Sequence, residues 1–114
     1  MSAIDLILTG ALFLCQQPSV HDGDTFRCAD RTRVRVWGLD APELATPAGP
    51  ASMRAMATML AGQTLTCQRK GKSHNRVVAR CTLPDGRDIA AEMIRQGQGR
   101  EWVKFSKGYC GSVR

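Results

Sequence analysis

The stretch Arg33-Val-Arg35-Val-Trp-Gly-Leu-Asp40-Ala-Pro-Glu43 decides how the rest of this chain is interpreted. In its first half, apolar residues alternate with arginines, and the side chains of a β-strand alternate between two faces. We therefore predict a strand with its apolar face on the core and its arginine face toward solvent or a ligand. The segment ends beside two carboxylates, Asp40 and Glu43.

Similar runs of apolar and β-branched residues, separated by turn-forming residues, predict five strands in all. The predicted strands cover residues 12–20, 24–29, 32–39, 64–70 and 76–83. A first helix is predicted to open at Pro50 and to end at Gly62, and a second to be capped by Asp88 and to end at Gly97. This order predicts an α+β domain built on a small five-stranded antiparallel barrel with two helices.

The composition is that of one ordinary globular domain with a basic surface. The chain has 114 residues, no internal repeats and a formal net charge of +6. A basic surface attracts polyanions, although many basic domains bind no nucleic acid. The acidic residues are more informative, because five of the ten lie within residues 22–43, and four of these five are candidates for one site. These four are Asp22, Asp24, Asp40 and Glu43.

The apolar start of the chain has two interpretations. Residues 4–15 are mostly apolar but too few to span a bilayer, and Asp5 stands where an export signal carries positive charge. Residues 1–14 are thus either a degenerate export segment or part of the first strand. The remainder, residues 15–114, is expected to be the folded domain, with no membrane association.

Four of the five cysteines fall into pairs that predicted hairpins place opposite each other. A hairpin that turns at residues 20–22 pairs Cys15 with Cys28, and a hairpin centred near residue 74 pairs Cys67 with Cys81. Opposed residues lie about 4.5–5.5 Å apart at Cα, within the range of a disulfide. We predict both disulfides, with Cys110 free; four buried thiols or, less favoured, a zinc site are the alternatives. Disulfides would favour a secreted or periplasmic protein over a cytoplasmic one.

Two carboxylates are predicted to converge on a cation site. The strand after Asp24 and the strand before Asp40 form a hairpin, so both side chains are expected at the same end of it. The backbone carbonyl of Ala41 adds a third oxygen. Hard oxygen ligands of this kind suit Ca²⁺ or Mg²⁺, with water and substrate completing the coordination.

Three further side chains complete a predicted phosphodiester site. Glu43 can act as general base toward a water. Arg35 and Arg76, each on a predicted strand, can clamp the charged oxygens of a phosphodiester under attack, a geometry that guanidinium groups match.

These motifs resemble the staphylococcal nuclease (thermonuclease) family in order and spacing. The resemblance rests on Asp22-Gly-Asp24-Thr25, Arg35-x₄-Asp40-x-Pro42-Glu43, a later Arg76 and Ile94-Arg-Gln-Gly97, and covers roughly residues 15–105. It implies an OB-fold barrel and Ca²⁺-dependent cleavage of DNA and RNA without sugar specificity, Mg²⁺ being the less favoured cofactor. It also implies that Asp24, Asp40 and Ala41 bind the metal, that Asp22 lies behind them, and that Arg35, Glu43 and Arg76 are catalytic.

The sequence departs from the family pattern in places where nucleic acid is expected to bind. The family's Tyr-Gly before the second arginine is replaced by His74-Asn75, and its base-stacking tyrosines are absent. The family's C-terminal helix is expected to be absent or short. The predicted nucleic-acid contacts are therefore Lys70, Lys72, His74, Trp102 and Phe105.

The alternative to a nuclease is a non-catalytic OB-fold module that binds single strands through a basic face and aromatic residues. A structural domain with an idle site is a further alternative. A pure binding module has no need of Glu43, which favours the enzyme. In either case the expected partners are DNA and RNA, and the chain is expected to act as a monomer.

Overall fold

The computed structural model describes residues 12–102 and has an α+β architecture in which a mixed sheet carries two helices. Phe105, Cys110 and most of the apolar N-terminal segment lie outside these residues, as does any C-terminal helix. The elements are β1 (Leu12–Gln16), β2 (Ser19–Asp22), β3 (Thr25–Arg27), β4 (Arg33–Val36), β5 (Leu39–Asp40), α1 (Gly49–Leu60), β6 (Thr64–Ser73), β7 (Arg76–Thr82), α2 (Ile89–Arg95) and β8 (Arg100–Glu101). No helix in this part of the chain is long and apolar enough to cross a membrane.

The prediction of a five-stranded, wholly antiparallel barrel is wrong in two respects. The main sheet has six strands in the order β1-β6-β7-β4-β3-β2, and β4 pairs with β7 in parallel. The extra strand arises because the predicted strand 12–20 is broken: Gln17 has a φ of 48°, and Pro18 has no N–H to donate to a ladder. β5 and β8 form a separate two-stranded ladder.

The sheet curls until its two ends are joined. β1 lies at one edge, yet the amide of Ala29, which follows β3 near the other edge, donates to the Gln16 carbonyl at 2.8 Å. A disulfide between Cys15 and Cys28 fixes the same junction, with 5.0 Å between the Cα atoms. The curled sheet thus resembles a partly closed barrel, with Cys15 fully buried in its core.

The two predicted disulfides are both present, although the reason given for one of them is wrong. Cys67 and Cys81 are register partners in the β6–β7 hairpin, as predicted. Cys15 instead faces Leu65 of β6 in the ladder, so its bond to Cys28 joins two parts of the curled sheet rather than two strands of a hairpin. The alternatives of free thiols and a zinc site are thereby excluded for these four cysteines. Two disulfides are typical of an oxidising compartment.

The core lies between the curled sheet and the helices. Its largest fully buried side chains include Phe26, Met56, Leu60, Leu65 and Met93. α2 begins at its predicted cap, where the Asp88 carboxylate accepts the amide of Ala91 at 3.0 Å. It ends before Gly97, whose φ of +74° allows the amides of Gly97 and Gln98 to bond back to the last turn.

Candidate functional site

The Asp24 carboxylate is the centre of the candidate site. Asp24 is only 9% exposed and immediately precedes β3. Its Oδ2 accepts the backbone amide of Ala41 at 3.0 Å and lies 3.4 Å from Nη2 of Arg35. Its Oδ1 accepts the Thr25 hydroxyl at 3.2 Å. The Ala41 bond brings Asp24 beside the residue that follows Asp40, as the sequence predicted.

Glycine makes this convergence possible. A Cβ atom on Gly23 would lie 2.0 Å from the Ser52 hydroxyl oxygen of α1 and 2.7 Å from the Ala41 Cβ. The turn between Asp22 and Asp24 is therefore pressed against both α1 and the segment after β5. Asp22 stabilises the turn by accepting the Asp24 amide at 3.1 Å, and its role behind the metal ligands stays a prediction.

Arg35 is buried and so does not meet solvent, whereas its face of β4 was predicted to meet solvent or a ligand. It is 6% exposed, and its Nη1 donates to the carbonyls of Leu39 at 2.6 Å and Val36 at 3.0 Å. Its guanidinium carbon lies 4.3 Å from the centre of the Trp102 ring. The prediction missed this because the loop after β4 and the residue after β8 fold over the side chain. Burial lowers the pKa of Arg35, and Asp24 opposes that shift, so the guanidinium remains charged.

Arg76 reaches the same point from the start of β7. Its Nη1 donates to the Thr25 hydroxyl at 3.2 Å and its Nη2 to the Ser73 hydroxyl at 3.3 Å. The Thr25 hydroxyl can accept from Arg76 while donating to Asp24, so one oxygen links the two charged groups. The positive charge of Arg76 also contributes to the lowered pKa of Arg35. The two arginines predicted as phosphate clamps are thus close together.

Asp40 and Glu43 line an adjoining cleft of about 460 Å³ with Ala41. Glu43 is exposed, and Asp40 forms a loose ion pair with Arg100 across the β5–β8 ladder, at 3.4 Å. Arg100 was not predicted from the sequence, because its contact with Asp40 depends on a two-residue strand pairing. The loop of Glu43 is held against α1, since a Cβ on Gly49 would lie 2.1 Å from the Glu43 carbonyl oxygen.

The oxygens at this site, from carboxylates and a carbonyl, are of the type that a hard cation prefers. Within residues 12–102, no three His, Cys, Asp or Glu side chains are grouped closely enough to hold a metal. These described residues therefore offer a cation two carboxylates and a carbonyl at most, and water or substrate would complete the coordination. Burial raises the pKa of Asp24 to about 6, against the effect of Arg35, so a nearby cation would favour the charged carboxylate.

This raised pKa predicts how stability depends on pH in the metal-free protein. Between about pH 4 and pH 6, folded Asp24 holds a proton that the unfolded chain has lost, so its contribution to stability falls as pH rises through this window. Asp24→Asn cannot titrate. We expect the free energy of unfolding of the wild type, relative to Asp24→Asn, to fall by about 1–3 kcal/mol from pH 4 to pH 7. Urea unfolding in EGTA measures this difference. Free energies of unfolding that change with pH in parallel in the wild type and in Asp24→Asn would contradict it.

The predicted nucleic-acid contacts near Arg76 lie on a hairpin that is longer than expected. β6 continues to Ser73, whereas residues 71–75 were predicted to be a loop, and only His74 and Asn75 form the turn. Lys72 and His74 are exposed and lie four and two residues before Arg76. Lys70 is also exposed, with its Nζ 4.8 Å from the centre of the Trp37 ring.

Proteins similar to this chain carry the name of a nuclease. It is 25% identical over 96 residues to a protein of Haemophilus influenzae named uncharacterized endonuclease, a match covering 81% of this chain and 54% of the relative. It is 32% identical over 88 residues to a protein of Escherichia coli with the same name, covering 74% and 56% respectively. The chain thus spans about half the length of the curated relatives it matches. No protein-family model matches it.

Proposed function

We propose that this chain is a divalent-cation-dependent endonuclease that hydrolyses the phosphodiester bonds of DNA and RNA. The observation that carries the proposal is the linkage of Asp24 to Arg76 through the hydroxyl of Thr25, with Arg35 on the other side of the same carboxylate. The two guanidinium groups suit a negatively charged phosphodiester, and the buried carboxylate beside them suits a cation. The names of the relatives and the resemblance to staphylococcal nuclease motifs support it.

Asp24, Asp40 and the carbonyl of Ala41 would hold the cation, which we propose to be Ca²⁺. When bound, Ca²⁺ would supply positive charge against the charge that develops on the phosphoryl oxygens. The chain prepares its part of this site in advance: the Ala41 amide and the Thr25 hydroxyl orient the two oxygens of Asp24. Asp22 fixes the turn that precedes them.

The remaining residues would act on the phosphodiester and on water. Glu43, an exposed carboxylate beside Asp40 and Ala41, would accept a proton from the attacking water. Arg76 would donate to the equatorial oxygens of the phosphoryl group as charge accumulates there. Arg35 is held by two carbonyls and Asp24, so its buried positive charge would act on the ester from a fixed position.

Chelation should abolish the reaction. In a supercoiled-plasmid nicking assay, we expect cleavage with Ca²⁺, loss of cleavage with EGTA and recovery when Ca²⁺ is added in excess. Glu43→Gln should lose the rate while still binding Ca²⁺, because it removes the base and leaves Asp24 and Asp40 in place. Undiminished nicking in EGTA would contradict the metal-dependent mechanism.

The rival function is binding without cleavage, and the same assay separates it. The engagement of Arg35 by Asp24, two carbonyls and Trp102 is the observation that favours a binding module, because a guanidinium held by these contacts has little freedom to rearrange. A binding module would shift oligonucleotide mobility at low salt and leave the plasmid intact with Ca²⁺. The proposed oxidising location, secreted or periplasmic, is common to both functions.

A further inference from the structure

A second basic cluster lies on the same sheet, away from the carboxylates. β2, β3 and β4 enclose a shallow cleft of about 190 Å³ whose walls include His21, Thr25, Arg27 and Arg33. Arg27 is exposed and Arg33 is half-buried. The proposed function does not use either arginine.

The two arginines of this cleft face each other without an acidic partner. Arg27 and Arg33 are register partners on β3 and β4, a position in which like charges destabilise a sheet. Neither forms an ion pair with a carboxylate of residues 12–102. The nearest acid in sequence, Asp30, instead accepts the amide of Thr32 within the turn between the two strands. Because no carboxylate of the described residues neutralises this pair, its charge is available to an anion from outside the chain.

The cleft leads directly to the candidate catalytic site. Thr25, one of its lining residues, is the residue whose hydroxyl contacts both Arg76 and Asp24. Arg33 precedes Arg35 by two residues on β4, a separation of about 6.6 Å along a strand. β4 and β7 begin with Arg33 and Arg76 and run in parallel, with Val34 paired to Val77, so these two arginines are neighbours in the sheet.

We propose that Arg27 and Arg33 together bind a phosphate of the nucleic-acid strand next to the one being cleaved. This inference rests on the proposed function for its substrate and adds the direction in which the strand leaves the site, across β4 and β3 toward β2. Two guanidinium groups on adjacent strands can donate to a single phosphate from both sides. Binding of that phosphate also neutralises the repulsion between them.

The test is the salt dependence of binding, measured without cleavage. The probe is a fluorescent single-stranded oligonucleotide titrated in EGTA, with anisotropy as the readout. Each phosphate contact contributes about 0.7 to the slope of log affinity against log salt for a single strand. Arg27→Gln combined with Arg33→Gln removes the contact to one phosphate and should lower the magnitude of the slope by about 0.7. Arg54→Glu, on the exposed surface of α1, changes the net charge by the same amount and should leave the slope unchanged.

A second measurement distinguishes a flanking phosphate from an anion site of any other kind. With Ca²⁺, the double glutamine variant should lose about tenfold more kcat/KM on an oligonucleotide than on a nitrophenyl phosphodiester, which has only one phosphate. Arg27→Lys with Arg33→Lys keeps the charge and should retain most of the salt slope. The unfolding temperature of the glutamine variant should be no lower than that of the wild type, since a like-charge contact is removed.

Two results would overturn the inference. One is a salt slope in the double glutamine variant that equals the wild type or that Arg54→Glu reproduces. The other is an equal loss of kcat/KM on the two substrates. Failure of the proposed function is a separate result: no cleavage of either substrate by the wild type, with the binding slopes still differing between variants.

Discussion

Arg76→Lys is expected to lower the kcat of phosphodiester cleavage by about 10²–10³-fold, the usual cost of removing one donor from a charged transition state. Lysine keeps the positive charge but cannot present two parallel N–H groups, and its single ammonium cannot contact Thr25 and Ser73 as the guanidinium does. Arg76 is a better test than Arg35, because Arg35 also holds the carbonyls of Val36 and Leu39 together and its loss would disturb the fold.

Initial rates on a fluorescent oligonucleotide at saturating Ca²⁺ measure this loss. Arg54→Lys, the same change on the exposed face of α1, is the matched control and should keep the wild-type rate. Both variants should unfold within a few degrees of the wild type. A loss of less than about threefold in Arg76→Lys would remove Arg76 from the mechanism.

Reduction of both disulfides is expected to unfold the protein at 37 °C. Cys15–Cys28 and Cys67–Cys81 close loops with sequence separations of 13 and 14 residues. Loop closure of this length stabilises a folded chain by about 3 kcal/mol for each bond. The total is comparable with the whole stability of a small domain. The effect should be large because Cys15–Cys28, with the hydrogen bond from Ala29 to Gln16, joins the ends of the curled sheet.

Thermal unfolding with and without dithiothreitol tests this expectation. Variants that replace one cysteine pair with alanine should have unfolding temperatures between those of the oxidised and the fully reduced protein, since each variant retains one disulfide. A reduced protein that unfolds within a few degrees of the oxidised one would contradict the role assigned to the disulfides.

The fold could be predicted from the sequence where local pattern and pairing agree. The β6–β7 hairpin, its Cys67–Cys81 bond and the Asp88 cap all follow from short-range signals. The first strand was predicted too long because it was continued past Gln17, where a positive φ turns the chain into β2. The parallel pairing of β4 with β7 depends on where a long connection returns, and no local pattern encodes it.

The positions of the acidic residues of the candidate site could be predicted from the sequence better than those of its arginines. Asp24 and the segment at Asp40 converge because a hairpin brings its two ends together, and hairpins are readable from sequence. The burial of Arg35 depends on Trp102, which lies 67 positions further along the chain, and on the carbonyl of Leu39. The Thr25 hydroxyl links Asp24 to Arg76. Its closeness to Asp24 follows from its position next in the chain, but its contact with Arg76 depends on how β3, β4 and β7 pair in the sheet.

A double-mutant cycle on cleavage tests most directly whether these residues form one catalytic site. Single-turnover rates would be measured with saturating Ca²⁺ for the wild type, Asp24→Asn, Arg76→Lys and the variant carrying both changes. Residues that act on one transition state give losses that are not additive in free energy. We expect each single change to cost about 10²-fold or more, and the second change to cost only a few-fold once the first is present. Losses that multiply in full would show that Asp24 and Arg76 act independently and would contradict the single site.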